Sequence, residues 1–259
     1  MNVIELCGGL GNQLFQYAFG QAQKYNGMDV RYSARWYIKP QEPPRPYRLD
    51  KFQINMEYSS LSLIIGQHTI KEKGCDLSLL KRKNCNFHGY WQYLDYFEDI
   101  LPILQNEFYV QEQYYTKEFL KLRKQIISKS AISIHVRRTD YIARKGFGVL
   151  PLFYYFEALE MIDGNVYVFS DDIEWCKSVF KTNYFDRRFI FVHLEDYLDF
   201  ELMRLCTHHI LANSTFGWWT AILDDAPGKI VITPPGWLSL DGTNDNGRER
   251  NFPKHWIRL

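Results

Sequence analysis

The feature that most constrains this chain is the rhythm of its second half. Short apolar runs at Ala131–Val136, Val166–Phe169, Phe189–His193, His209–Ala212 and Lys229–Thr233 alternate with longer stretches at Leu152–Ile162, Ile173–Phe180, Asp199–Cys206 and Thr215–Leu223. Runs of that length, rich in β-branched and aromatic residues, read as buried strands, and the segments between them are long enough to be helices. A strand that returns after a helical crossover lies parallel to the one before it. The second half is therefore expected to form a mostly parallel sheet with helices on both faces.

The chain opens on the same theme. Residues 3–7 read as a strand, Gly8-Gly9-Leu10-Gly11 as a tight turn, and Leu14, Phe15, Ala18, Phe19 and Ala22 recur at helical spacing up to Gly27. Asp29–Tyr32 follows as the next strand, which completes a βαβ opening. The Pro-rich run at 40–46 can only be a loop. Between 50 and 125 the pattern is weaker; Phe87–Tyr93 reads as a strand, and 97–105 and 115–129 as helices. A polar stretch at 124–130 separates the halves, so two α/β units in tandem are expected, 1–127 and 128–259.

Ligands of open parallel sheets bind beyond the carboxyl ends of the strands. In the second half those ends carry His135-Val136-Arg137-Arg138-Thr139-Asp140, then Ser170-Asp171-Asp172, then Asn213-Ser214-Thr215. Arg137 and Arg138 offer planar forks for phosphate oxygens. Their side chains point opposite ways in extended chain, so one is expected to reach a ligand and the other to pair with a carboxylate such as Asp140. Asn213-Ser214-Thr215 stands where a strand becomes a helix, an anion site in which Ser214 or Thr215 also caps the helix. Asp171 or Asp172 can accept from a nucleobase or from ribose hydroxyls. Each cluster alone has a plain structural reading as a solvated pair, a turn or a cap. Their convergence on one sheet edge favours a nucleoside diphosphate.

The first Gly turn is not a dinucleotide fingerprint, because Leu14 occupies the place of the third Gly and Arg31 and Tyr32 the region of the acidic residue. It is read instead as a loop that lets a ligand approach the backbone at Gly9 and Gly11, with Asn12 and Gln13 pointing at it from the helix start. Tyr90, Trp91 and Gln92 offer stacking faces and an amide for a sugar acceptor, or else are core aromatics. Trp218 and Trp219 lie within a helix and read as packing.

Composition removes several classes. With 31 basic and 30 acidic residues the net charge is +1, which argues against nucleic acid as a partner. Five Cys with no C-x-x-C pair argue against a disulfide framework and a structural zinc site. No Asp-x-Asp pair is present, so no divalent metal is expected. No signal peptide and no membrane span can be read, which points to a cytoplasmic protein.

Four segments in this order, Gly8 to Ala18 (GGLGNQLFQYA), His135 to Asp140 (HVRRTD), Phe169 to Asp172 (FSDD) and Asn213 to Trp219 (NSTFGWW), closely resemble the bacterial α-1,2-fucosyltransferases of glycosyltransferase family 11. The His-x-Arg-Arg element is shared with α-1,6- and protein O-fucosyltransferases. Thr139 stands where Gly is frequent in the α-1,2 enzymes, and Gly217 where Ser is frequent. The resemblance implies a GT-B-type fold of two Rossmann-like units facing a cleft, the C-terminal unit binding GDP-fucose and the N-terminal unit the acceptor. It implies that His135 and Asp171 read guanine, that Arg137 holds the β-phosphate and Asp140 orients the Arg pair. Arg138, Asp172 and Asn213 would complete the donor site, and Ser214, Thr215 and Phe216 would lie along the diphosphate. It further implies inverting, metal-independent transfer to the 2-hydroxyl of a galactose-terminated glycan, with Arg137, Asp140 and Asn12 closest to the reaction. An enzyme building a membrane-linked glycan could touch the inner membrane peripherally. The rival expectations are a fucosyltransferase of α-1,6 or α-1,3 linkage and a non-catalytic module that binds sugar nucleotide or glycan.

Overall fold

The computed structural model describes the chain except residues 43, 60–65, 144–147, 181–187, 225, 238–244 and 246. It divides into two compact units, Met1–Tyr109 with Asn246–Asn251, and Val110–Asp245 with Phe252–Leu259. Both are parallel α/β units, as the strand rhythm leads one to expect.

The first unit contains β1 (Asn2–Glu5), α1 (Leu10–Tyr25), β2 (Val30–Ser33), β3 (His68–Lys71), β4 (Cys85–His88) and α2 (Leu101–Glu107). Its four strands lie in the order β2-β1-β4-β3, all parallel. The helical stripe of α1 is buried, with Leu14, Phe15, Ala18 and Phe19 fully inaccessible. Gly27 ends the helix with φ +80°, a conformation that costs a glycine nothing. The strand expected at Phe87–Tyr93 ends at His88 instead. At Gly89 a Cβ would stand 2.5 Å from the Glu72 Cβ, and Trp91 takes φ +57°, so the chain turns sharply there. The helix expected at 97–105 begins as a 3-10 turn, Glu98–Ile100, before α2.

The second unit begins with α3 (Lys117–Ile127), where Thr116 caps the helix by accepting from Phe119 N–H at 3.1 Å. Then come β5 (Ala131–Val136), α4 (Thr139–Ala143), α5 (Leu152–Glu160), β6 (Asn165–Ser170), α6 (Ile173–Val179), β7 (Phe189–Val192), α7 (Asp196–Arg204), β8 (His208–Ile210), α8 (Thr215–Ile222), β9 (Val231–Thr233) and β10 (Ile257–Arg258). Phe119 and Ile126 of α3 are buried, Val110 N–H donates to Glu201 Oε2 at 3.3 Å, and Tyr114 meets Tyr197 edge-on at 5.9 Å. Residues 110–127 therefore pack with the second unit, ahead of the polar stretch that marks the division in the sequence.

The six strands of this unit run in the order β10-β9-β8-β5-β6-β7, in parallel register. Ile132, Ile134, Val166, Val168, Ile210 and Ile232 pack under Tyr154, Tyr155, Ala158 and Leu159 of α5. Each such fully buried aliphatic side chain contributes about 1.5–3 kcal/mol. Trp218 and Trp219 are buried too, and Trp218 meets Trp237 edge-on at 5.7 Å, so this pair is packing.

Strand order fixes where each sheet can open. In the second unit the chain moves from β5 outward through β6 to β7, then returns to β8 on the other side of β5. In the first it moves from β1 to β2, and later places β4 on the opposite side of β1. Connections that leave in opposite directions create a crevice at the carboxyl ends of the two strands concerned. That places one crevice between β5, which leads on to β6, and β8, which leads on to β9 the other way; in the first sheet β4 is the last strand, and the segments after the adjacent β1 and β4 meet at a second crevice, where Gly8 faces the Tyr90 ring.

Candidate active site

The β5–β8 crevice is the charged one. Arg137, first residue past β5, is held between two carboxylates, with Nη2 2.7 Å from Asp140 Oδ1 and Nη1 3.4 Å from Asp171 Oδ2. Asp140 reaches it because α4 starts at Thr139, which puts the carboxylate three residues on and one turn away. Burial opposes the charge on Arg137, but Asp171 and Asp140 more than offset that, so its pKa is raised and it stays cationic. Arg138 is turned elsewhere: Nε donates to Asp172 Oδ2 at 3.2 Å, and its guanidinium lies 3.7 Å over the Trp175 ring. Both guanidinium groups are thus paired with carboxylates, and each has its own partners. Asp140 serves Arg137, and Asp172 serves Arg138.

Asp171 accepts from the backbone N–H of Arg138 at 2.9 Å, and from the N–H and hydroxyl of Thr139. Thr139 therefore fastens this carboxylate to the β5 turn. Asp172 caps α6 by accepting from Trp175 N–H at 3.3 Å. Ser214 caps α8 by accepting from Phe216 N–H at 3.4 Å, which leaves the N-terminal dipole of α8 at the crevice beside Thr215. Asn213 is buried, and its side-chain amide donates to Gly148 O at 3.2 Å.

Two contacts join the β5 end to the α8 end. His135 is 5% exposed, its ring 5.4 Å from that of Phe216, and a Cβ at Gly217 would stand 2.8 Å from its Nδ1. That Nδ1 has no hydrogen-bond partner among the described residues. Burial, helped by the nearby charge of Arg137, pushes the His135 pKa down to about 4, so the ring is neutral at physiological pH. The second contact was not anticipated: Tyr141 lies 5.6 Å below the Arg137 guanidinium and donates from its hydroxyl to Asn213 O at 2.8 Å. Its position one residue after Asp140 was the available signal, but only α4 turns the ring inward.

The β1–β4 crevice is lined mostly by amides and glycines, and its charged contacts are at the strand ends and the following turn: Glu5 Oε2 lies 2.8 Å from His88 Nδ1, and Arg248 Nη2 lies 3.2 Å from Glu72 Oε1. Gly8 has φ +81°, and a Cβ there would stand 2.7 Å from Asn12 Nδ2 and 3.4 Å from the Tyr90 ring. Gly9 precedes α1 as its extended N-terminal cap residue, and Gly11 is buried in the first turn. Asn12 is half-buried and accepts from Gln92 Nε2 at 2.9 Å. Gln13 does not point outward; it is fully buried and bonds Gly8 O, Pro46 O and Arg48 N–H. Of the two adjacent aromatics only Tyr90 offers a face, at 42% exposure. Trp91 is fully buried and stacks on Phe19 at 4.4 Å with a 9° interplanar angle, so it is core and cannot touch a sugar. Gln92 is 6% exposed and engaged with Asn12. Tyr37, missed in the sequence, bonds Gly8 O at 2.9 Å.

Among the described residues no three His, Cys, Asp or Glu side chains gather as metal ligands, and no helix is long and apolar enough to cross a membrane.

Comparison with known proteins agrees with this architecture. The chain is 29% identical to an α-1,2-colitosyltransferase of Escherichia coli, over 99% of this chain and 98% of the relative. It is 27% identical to the O-antigen biosynthesis glycosyltransferase WbnK of Escherichia coli, over 98% and 99%. In structure it resembles the fucosyltransferase NodZ from Bradyrhizobium, with a TM-score of 0.57 over 89% of this chain and 94% of that one at 13% identity, a likeness of GT-B fold. The description of glycosyl transferase family 11 matches residues 1–259. With two parallel α/β units, each opening a polar crevice, and a family match from the first residue to the last, this chain belongs to glycosyl transferase family 11 and is a glycosyltransferase.

Proposed function

We propose that the chain transfers L-fucose from GDP-fucose to the 2-hydroxyl of a terminal galactose in a glycan, with inversion and without a metal ion. The observation that carries this reading is Arg137, clamped by Asp140 and Asp171 at the carboxyl end of β5, in the crevice that also receives the N-terminus of α8. In the reaction the galactose oxygen attacks C1 of fucose and the bond from C1 to the β-phosphate oxygen breaks. GDP leaves with one more negative charge, and a pre-positioned guanidinium with a helix N-terminus stabilises charge that develops there. Asp140 already receives Arg137, so its part is to hold the guanidinium in place. The hydroxyl proton passes to a carboxylate within reach or to a phosphate oxygen of the leaving group.

The remaining roles follow from chemistry. His135, neutral and with Nδ1 unbonded, reads the base together with Asp171. Arg138 and Asp172 brace the turn, and Asn213, Ser214, Thr215 and Phe216 line the diphosphate. Gly9 and Gly11 leave room for close backbone approach, Asn12 holds the acceptor, and Tyr90 stacks on it. The α-1,2 linkage and the sugar are supported by the motif resemblance and by the name of the colitosyltransferase relative. That name also favours a second reading, the same linkage with a colitosyl donor.

The test is release of GDP from GDP-fucose in EDTA, with and without lactose. Lactose-dependent release together with a 2-linked fucosyl product by linkage analysis is the expected result. Release abolished by EDTA, or a product of another linkage, contradicts the reading.

A further inference from the structure

Trp91 is the bulkiest residue in the molecule with a left-handed backbone, φ +57°. A large aromatic residue in that region is strained by roughly 1–3 kcal/mol and persists only where its surroundings over-determine it. They do so here. Gly89 O accepts from Gln16 Nε2 at 2.9 Å, Tyr90 N–H donates to Glu72 Oε2 at 2.8 Å, and Trp91 O accepts from Tyr93 N–H at 2.9 Å. Gln92 O accepts from Asn251 Nδ2 at 2.8 Å, and Asn251 Oδ1 accepts in turn from Leu94 N–H at 2.8 Å. The Trp91 ring is locked between Phe19, stacked at 4.4 Å, and the edges of Phe87 and Tyr96.

A regular extension of β4 would have continued the alternation of its side chains across the sheet. The left-handed turn breaks that alternation. It sends the Trp91 ring into the core, leaves Tyr90 exposed beside Gly8, and brings the Gln92 amide to Asn12 Oδ1 at 2.9 Å. Gln92 is itself buried, so its access to an acceptor runs through Asn12.

We propose that Gln92 is a positioning residue that fixes the side-chain amide of Asn12 for the acceptor sugar, and that the strained turn at Trp91 is the device that delivers it. This rests on the reading of the β1–β4 crevice as the acceptor side. It replaces direct contact by Gln92 and Trp91 with action through Asn12.

The test is a double-mutant cycle of Asn12→Ala and Gln92→Met, the latter near-isosteric but unable to donate. It is read with whichever nucleotide sugar the wild-type enzyme turns over, so a donor other than GDP-fucose would overturn the proposed function and leave the cycle readable. Gln92→Met is expected to raise the acceptor KM about fivefold to tenfold, the loss of one positioned hydrogen bond, with the donor KM unchanged. In the Asn12→Ala background the same substitution is expected to have no further effect. An equal effect in both backgrounds overturns the proposal, because Gln92 then acts independently of Asn12. So does a loss of stability with kinetics unchanged, which is a merely structural role. A readout independent of turnover is NMR of the Asn12 side-chain amide, expected to be ordered in the wild type and mobile in Gln92→Met; no change there also overturns the proposal.

Discussion

The two crevices lie at the carboxyl ends of adjacent parallel strands and are filled with different chemistry. Past β5, β6 and β8 the chain places two guanidinium groups, three carboxylates and a helix N-terminus, with ion pairs linking each guanidinium to its carboxylates. Past β1 and β4 it places amides, a tyrosine face and glycines around a strained turn, and the carboxylates there, Glu5 and Glu72, are engaged by His88, Arg248 and the Tyr90 N–H. Fixed charge suits a diphosphate, which carries its own charge and gains more on leaving. Neutral amides and a ring face suit a sugar, which offers hydroxyls and an apolar C–H surface. The difference teaches that topology chooses where a site opens, while the residues just past the strands choose what it accepts.

The largest effect tests the β1–β4 side. Trp91→Ala removes a fully buried indole and is expected to cost about 3–5 kcal/mol of stability, lowering the thermal midpoint. In protein that remains folded, GDP affinity should persist while acceptor turnover is lost. Equal loss of both would break the division. On the charged side, Arg137→Ala is expected to lower turnover about 10²–10³-fold and to weaken GDP binding, with the acceptor KM unchanged. A rise confined to the acceptor KM would exchange the roles of the two crevices. Tyr90→Ala should raise the acceptor KM roughly fivefold with little change in stability, since the ring is 42% exposed and forms no part of the core.

The smallest effect concerns pH. Burial holds the His135 pKa near 4, below its ordinary value, so between about 4 and 6.5 the unfolded chain binds a proton that the folded one does not. This residue's contribution therefore makes stability rise with pH through that window. His135→Gln should flatten the slope there in denaturant titrations at successive pH values. An unchanged slope would mean that His135 is not held neutral by burial.

Much of this was legible in the sequence, and the parts that were not share a cause. β5, β6 and β9 announce themselves because nearly every residue in them is buried and they read as largely apolar runs. β3 (His68–Lys71) does not, because it is an exposed edge strand with one partly buried residue among its four. β10 was missed because two residues carry no period. The Arg137, Asp171 and Ser214 clusters could be found from strand ends alone. The allotment of Asp140 to Arg137 and Asp172 to Arg138 could not, since it depends on where α4 begins and on the Trp175 ring beneath Arg138. The Tyr90-Trp91-Gln92 segment shows the limit most plainly. Tyr90, Trp91 and Gln92 are adjacent and all suited to a sugar, and only a backbone φ that sequence does not announce separates the exposed ring from the buried one.

The most direct test of the division is a calorimetric titration of GDP into the wild type, Arg137→Ala and Tyr90→Ala. The account predicts that Tyr90→Ala binds GDP as the wild type does, while Arg137→Ala binds at least about tenfold more weakly, the loss of a charge-assisted contact to phosphate. Wild-type affinity in Arg137→Ala, or an equal loss in Tyr90→Ala, would contradict the assignment of the diphosphate to the β5–β8 crevice.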